Sequence, residues 1–456
     1  MIDLLRSGGG VGILSDQHAG DQGIWTPFFG RLASTSPLPA LLAKRSRAAL
    51  IAAAVYTAGP ARWRMVFTER FDISGASIET LTSKINEIIE QQVRLAPEDS
   101  FWVHNRWKTP RPNFLLTRYK RGVYLPKNVP AGELKPFRIL VRSSNWLGDA
   151  VMSVPAVRAI KKGRPDAHVT VLAPEKIAAM WKLISEVDEV LSLPKKSLFA
   201  AMCLVNRQPH FDAAVLFPNS LRSALEVLFV PRKVGYRGHA RAWLLNQIVR
   251  EPRRPGPPEH HALRFLRIAD DCGADVDLAA KIELTETSQT SNLKHRTSLG
   301  LCPGAEYGPA KRWLPDRFAE VAETISNGSE IKWILFGTKD DTPVGKIIAA
   351  KLGNKCVNRI GETSLDELIS ELRGCRALLT NDTGTMHLAA LLGVPVAAIF
   401  GSTEPKLTGP LGQGHVVVRR HVECSPCFLR KCPIDFRCMT EVTTQEVVEA
   451  MMSILR

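Results

Sequence analysis

The sequence predicts an α/β protein with two Rossmann-like parallel sheets, preceded by a block that reads as part of a further α/β domain. Three stretches carry this. Residues 138–172 run strand, Gly-containing turn, helix, strand, and residues 377–400 repeat that order around NDTGTMHLAA. Between them, a strand at Leu299 to Cys302 delivers a Gly- and Pro-rich loop and a helix beginning at Pro315. Strands alternating with helices in this way make doubly wound sheets, whose ligands sit at the carboxyl ends of the strands.

Length and composition set the frame. At 456 residues the chain is long enough for about three domains. Its net charge is +15, and residues 1–136 hold 18 Lys or Arg against 11 Asp or Glu. That excess suits an anionic partner, nucleic acid or an anionic lipid surface, and no nucleic-acid-binding module is present. No apolar run approaches the roughly 18 residues that span a bilayer, Ala48 to Ala58 being the longest candidate, and no signal peptide opens the chain. A cytoplasmic location is expected. Five of the nine cysteines (Cys203, Cys272, Cys302, Cys356, Cys375) lie in apolar contexts and read as buried thiols.

The first block opens on SGGGVGILSDQHAG, a Gly-rich turn with a strand-like Val11 to Leu14. Ile78, Leu81, Ile85, Ile88 and Ile89 recur at helical spacing, and the aromatic and basic PEDSFWVHNRWKTPRP follows. Residues 115–136, rich in Pro, Lys and Arg and without periodicity, read as a linker.

In the second block, 137–285, strand Arg138 to Val141 leads into SSNWLGDAVMSVPAVRAIKK, with Val151, Val154, Val157 and Ile160 on one helix face. Asp149 stands in the first turn of that helix, where an acid also favours the helix dipole. Strand Ala213 to Phe217 then delivers Asn219, Ser220 and Arg222 at a second turn, with Arg232, Lys233, Arg237 and Arg241 beyond. These side chains suit an acidic acceptor or serve as ordinary solvated charges. The Pro-rich 251–261 forms a break.

The third block, 286–456, places Lys311 in the loop after its first strand and Gly337, Thr338 and Asp340 after its second, where they face a nucleoside. Ser364 with Glu367, and Thr443 with Glu446, spell helix-starting capping boxes. Gly384 lets backbone approach a ligand, and a helix beginning near Thr385 points unpaired N–H groups at a phosphate. Asp382, Thr383 and His387 surround that turn, where Asn, Asp and Thr are also ordinary caps. The tail carries Cys424, Cys427, Cys432 and Cys438, a spacing that fits a small zinc site, a redox pair or packed free thiols.

Four stretches, SSNWLGDAVMSVPA, CPGAEYGPAKRW, NDTGTMHLAALLGVPVAAIFGSTEP and the cysteine-bearing tail, resemble glycosyltransferase family nine, and within it the group that adds heptose to a lipopolysaccharide core already bearing heptose. The resemblance implies a GT-B fold, two Rossmann-like domains facing across a cleft, and inverting transfer of L-glycero-D-manno-heptose from ADP-heptose. It implies Asp149 as general base and Lys311 as the cation on the donor diphosphate. Asp382, Thr383, Gly384 and His387 form the donor turn, with backbone N–H groups replacing a metal ion. No cofactor is then required for chemistry, and a structural zinc is reserved for the tail. The acceptor is an anionic lipid A core, met at the cytoplasmic face of the inner membrane. Alternatives are another core transferase of the family, adding the first heptose or a different sugar, or a noncatalytic lipid-binding scaffold.

Residues 1–114 resemble the C-terminal half of the lipid A late acyltransferases through GGGVGILSDQ, FFGRLAST, the strand near Glu69 and PEDSFWVHNRWK. That family's catalytic His and Asp, four residues apart, have no counterpart in this sequence, so acyl transfer is not expected. The block reads as a fusion remnant or a shortened start, with a residual lipid contact through Trp102, Arg106, Trp107 and Lys108.

Overall fold

A computed structural model describes residues 1–110, 112–195, 197–251, 258–278 and 296–456. The chain divides into two compact units, Met1–Arg138 with Ile160–His168 and Asp270–Asp275, and Ile139–Ala159 with Val169–Ala269 and Val276–Arg456. The division expected between residues 285 and 286 lies outside the described residues, as do residues 252–257 of the Pro-rich break.

In the first unit, β1 (Ile24–Phe28) and β2 (Arg31–Thr35) form an antiparallel hairpin closed by Phe29 and Gly30. Both turn residues take positive φ, 52° and 74°, the sign that a two-residue type I′ turn needs. The helix Ile78–Leu95, capped by Ser77, buries Leu81 and Ile85. A second hairpin, β3 (Ala53–Gly59) and β4 (Arg62–Phe67), is largely exposed. Val11 to Leu14 forms no strand. Arg106, expected at a lipid surface, is instead buried among Ser34 O, Thr35 Oγ1 and Asn86 Oδ1, and the Trp107 indole donates to Phe28 O at 2.9 Å. Trp102 remains exposed.

Residues 115–136 are not a loose linker. Leu116 and Leu134 pack with Trp25 and Leu32, while Leu115 N donates to Cys272 O at 3.0 Å and Leu116 N to Gly163 O at 2.7 Å. The segment has no periodicity because its apolar residues meet different partners one by one, and period reports only regular elements.

The second unit carries two six-stranded sheets. The first is built of β5 (Phe137–Arg142), β6 (Ala167–Pro174), β7 (Glu189–Leu193), β8 (Ala213–Leu216), β9 (Lys233–Tyr236) and β10 (Gln247–Val249), in the order β10-β9-β8-β5-β6-β7. The second comprises β11 (Ser298–Cys302), β12 (Lys332–Leu335), β13 (Cys356–Asn358), β14 (Cys375–Asn381), β15 (Val396–Phe400) and β16 (Val416–Arg419), in the order β13-β12-β11-β14-β15-β16. Each sheet reverses its strand order beside its first strand, the Rossmann arrangement, and every ladder of the second is parallel. That reversal places the turns after β5 and β14 where ligands bind. Near-continuous apolar runs such as Val396–Phe400, buried at all five positions, are what a sheet covered on both faces requires.

Candidate active site

The turn after β5 is fixed from beneath by charge. Arg142 Nε meets Glu226 Oε2 at 2.7 Å with both side chains nearly sealed from solvent, and Arg142 also reaches Asn145 Oδ1 at 3.0 Å. The Trp181 indole donates to Ser143 Oγ at 2.8 Å. Out of this turn comes the helix Leu147–Met152, with Asp149 half-buried in its first turn. Burial raises the Asp149 carboxyl above its ordinary range, and the positive charge of Lys311 opposes that rise.

The turn after β14 supplies the opposing wall. Thr383 precedes the helix Gly384–Leu391 with extended backbone, and its side chain makes no capping bond, so the helix leaves that hydroxyl unused. Gly148 and Gly384 allow the two helix starts to meet. A Cβ on Gly148 would stand 2.9 Å from His387 Cδ2 and 3.8 Å from Gly384 Cα, and one on Gly384 would stand 3.1 Å from Leu147 Cβ. His387 is buried, its Nδ1 lacks a hydrogen-bond partner, and burial lowers its pKa to about 4, so the imidazole is neutral at pH 7.

Lys311 enters from the loop after β11. Its Nζ lies 2.5 Å from Asp382 Oδ2, which also accepts from Thr403 Oγ1 at 2.6 Å. Asn381 ties this loop to β14, since its Nδ2 donates to Pro303 O at 2.7 Å and its Oδ1 accepts from Trp313 N at 3.0 Å. Beside Asp149 opens a cavity of about 370 Å³ lined by Ser144, Asn145, Trp146, Asn219, His261 and Arg264, among others.

Asp149, Lys311, Asp382, Thr383, Gly384 and His387 thus come together, and Asn219 joins the cavity wall. Two of the expected acceptor residues do other work. Ser220 caps the short helix Leu221–Leu225, and Arg222 pairs with Glu226 at 3.1 Å. Of the loop cations, Arg241 is fully buried on Tyr236 O, Pro218 O and Ser223 Oγ, and Lys233 Nζ donates to Leu228 O and Val230 O. Both spend their hydrogen bonds on groups inside the fold. Gly337 and Thr338 form the loop after β12, where the buried Asp341 accepts from Thr338 N at 3.0 Å and pairs with Arg312 at 3.0 Å, while Asp340 is exposed.

Sequence reasoning missed Thr403, His261, Arg264 and Asp341. Thr403 lies in GSTEP, and its signal was a hydroxyl just beyond the strand next to Asp382. His261 and Arg264 carry no local pattern, since the helix His261–Asp271 brings them in only through the fold.

The tail cysteines are free, with Cys424 exposed, Cys427 and Cys432 half-buried and Cys438 buried. Among the described residues no group of three or more Cys, His, Asp or Glu is arranged to hold a metal ion, so the zinc reading, one of the three the spacing allows, has no metal geometry behind it. Cys438 lies with the core of the second sheet, whereas the backbone between Cys424 and Cys432 packs on the loops at Ser402 and Tyr307.

Two doubly wound sheets, an acid at one glycine turn and a Lys–Asp pair at the other define a nucleotide-sugar transferase of the GT-B kind. The sequence model of glycosyltransferase family 9 (heptosyltransferase) matches residues 206–436, and the chain belongs to that family. The chain is 32% identical over 312 residues to lipopolysaccharide heptosyltransferase 2 of Escherichia coli, an alignment covering 62% of this chain and 88% of that protein. Lipooligosaccharide heptosyltransferase 2 of Haemophilus influenzae is likewise 32% identical, over 309 residues, with 62% and 88% covered. The solved structure of E. coli ADP-heptose lipopolysaccharide heptosyltransferase II superposes with a TM-score of 0.59 at 29% identity, over 70% of this chain and 98% of that one. Residues 1–109 match the model of bacterial lipid A biosynthesis acyltransferases.

Proposed function

We propose that this protein transfers L-glycero-D-manno-heptose from ADP-heptose to a heptose of the lipopolysaccharide inner core. The observation that carries the mechanism is the approach of the helix starts at Gly148 and Gly384, which sets Asp149 in the electrostatic reach of the Lys311–Asp382 pair. Asp149 takes the proton of the acceptor hydroxyl as its oxygen bonds to the anomeric carbon of the donor. The bond from that carbon to ADP breaks in the same displacement, and configuration inverts. Lys311 and the N–H groups opening the Gly384 helix receive the charge that builds on the departing diphosphate. The neutral His387 shapes the turn without adding charge. Gly337 and Thr338 border the adenosine, and Asn219, His261 and Arg264 border the acceptor. No metal or cofactor takes part in these steps.

The acceptor is an anionic lipid, which agrees with the basic excess of the chain. A peripheral place on the cytoplasmic face of the inner membrane is supported by the first unit. Its cavity of about 750 Å³ has walls that include Leu14, Leu50, Ile51, Val55, Phe101 and Trp102, several of them exposed. No helix of the described residues is long and apolar enough to cross a membrane. Sedimentation with vesicles containing anionic phospholipid tests this contact, and protein left in the supernatant at low salt removes it.

The function is tested with the full-length protein, ADP-heptose and a lipid A core carrying one heptose. Addition of a second heptose with release of ADP is the result expected. Activity only on a heptose-free core would assign the first transfer instead, and inactivity on both would reject heptose transfer to the core.

A further inference from the structure

We propose that Tyr307 and Arg430 are positioning residues for Lys311, and that the cysteine-bearing stretch 424–432 braces the donor loop through them. The proposal rests on the reading of Lys311 as the cation on the donor diphosphate. The Tyr307 ring centroid lies 4.9 Å from Lys311 Nζ and 5.4 Å from Arg430 Cζ, so one aromatic ring receives both cations. Four hydrogen bonds hold the stretch in place. Tyr307 Oη donates to Phe428 O at 2.7 Å, and Arg430 Nε donates to Tyr307 O at 2.7 Å. Ala310 N, next to Lys311, donates to Arg430 O at 3.1 Å, and Phe428 N donates to Ser402 O at 2.8 Å. The fit is close at Gly308, where φ is 155° and an added Cβ would stand 2.4 Å from Arg430 O.

A lysine ammonium on a four-carbon stem is a mobile charge with many rotamers to lose on binding. Asp382 fixes the tip of Lys311, and Tyr307 supplies a second attractive surface for the same group. The tail stretch fixes Tyr307 and the backbone at Ala310. Lys311 is therefore delivered in one place before a diphosphate arrives, and binding need not order it. Without the brace the charge remains and its address is lost.

The test is ADP affinity of the full-length protein by titration calorimetry, with the thermal midpoint recorded for each variant. Tyr307→Ala and Arg430→Ala are each expected to weaken ADP binding about tenfold, with the double variant no weaker than either single one. Tyr307→Phe keeps the ring and is expected to restore most of the affinity. In a Lys311→Ala background, Arg430→Ala should have no further effect. Additive losses in the double variant would overturn the proposal, because they would make Arg430 an independent contact of the nucleotide. So would a fall in thermal midpoint without a change in affinity, which marks a merely structural role. If Lys311→Ala weakens ADP binding while the Tyr307 and Arg430 variants do not, the brace alone is wrong. If Lys311→Ala itself leaves ADP affinity unchanged, the reading of Lys311 fails.

Discussion

Gly148 and His387 touch across the two glycine turns, and the contact has no room for a methyl group, since a Cβ on Gly148 would lie 2.9 Å from the imidazole. The fit couples the acid at Asp149 to the donor turn at Gly384.

Gly148→Ala is therefore expected to cut transfer at least tenfold, because either His387 or the start of the Asp149 helix must move. A shift of this size misplaces reacting groups held at near-contact distance. Steady-state kinetics with a thermal midpoint within a few degrees of wild type would confirm it, and unchanged turnover would show that the turns move independently.

Asp149→Asn should abolish transfer and raise stability at neutral pH. The folded carboxyl sits above its ordinary value of 3.8, so between that value and the raised one the folded state binds more protons than the unfolded chain. Stability from this group therefore falls as pH rises through that window, and the neutral amide removes the loss. Denaturant unfolding at pH 7 would show the variant more stable. ADP affinity should be preserved, and its loss would give Asp149 a donor role.

His387 acts in the opposite sense. Its pKa is lowered to about 4 against an ordinary 6.5, so the unfolded chain takes up the proton first as pH falls. Stability from this group is complete above 6.5 and is lost as pH drops toward 4. Between pH 6.5 and 5 the loss is about 2 kcal/mol. His387→Gln should flatten that part of the stability profile. An equally steep profile would place the acid sensitivity elsewhere, for instance at His415, whose pKa burial also lowers to about 4.

The tail thiols should differ in reactivity. Burial first, then the negative charge of Cys424, Cys427 and Cys432, pushes Cys438 up to about 11, so at pH 8 it is protonated as well as covered. Timed alkylation read by mass spectrometry should label the exposed Cys424 early and Cys438 only on unfolding. Early labelling of Cys438 would mean that the segment opens in solution.

Much of the second unit was legible in the sequence because its elements are regular. The capping boxes at Ser364 and Thr443 start helices as their spacing predicts, and the strand, turn, helix, strand order of residues 377–400 is found, closing on Val396–Phe400. The glycine turns could be read because only glycine allows such close approach. What escaped depends on partners distant in sequence. Arg241 looks like a surface cation until its buried acceptors are seen, and Arg222 until Glu226 is placed. His261 reaches the cavity through a helix whose start no local pattern ties to Asp149.

The packing of residues 112–116 makes severance costly. Gly163 leaves no space for a side chain against Leu115, Gly273 leaves none against Asn113, and Arg164 gives one hydrogen bond to Phe114 O. A shortened chain beginning at Lys135 would strip these partners away while keeping the residues they cover. Loss of the first 134 residues would therefore uncover the surface around Gly163 and Gly273 and lower the solubility of what remains.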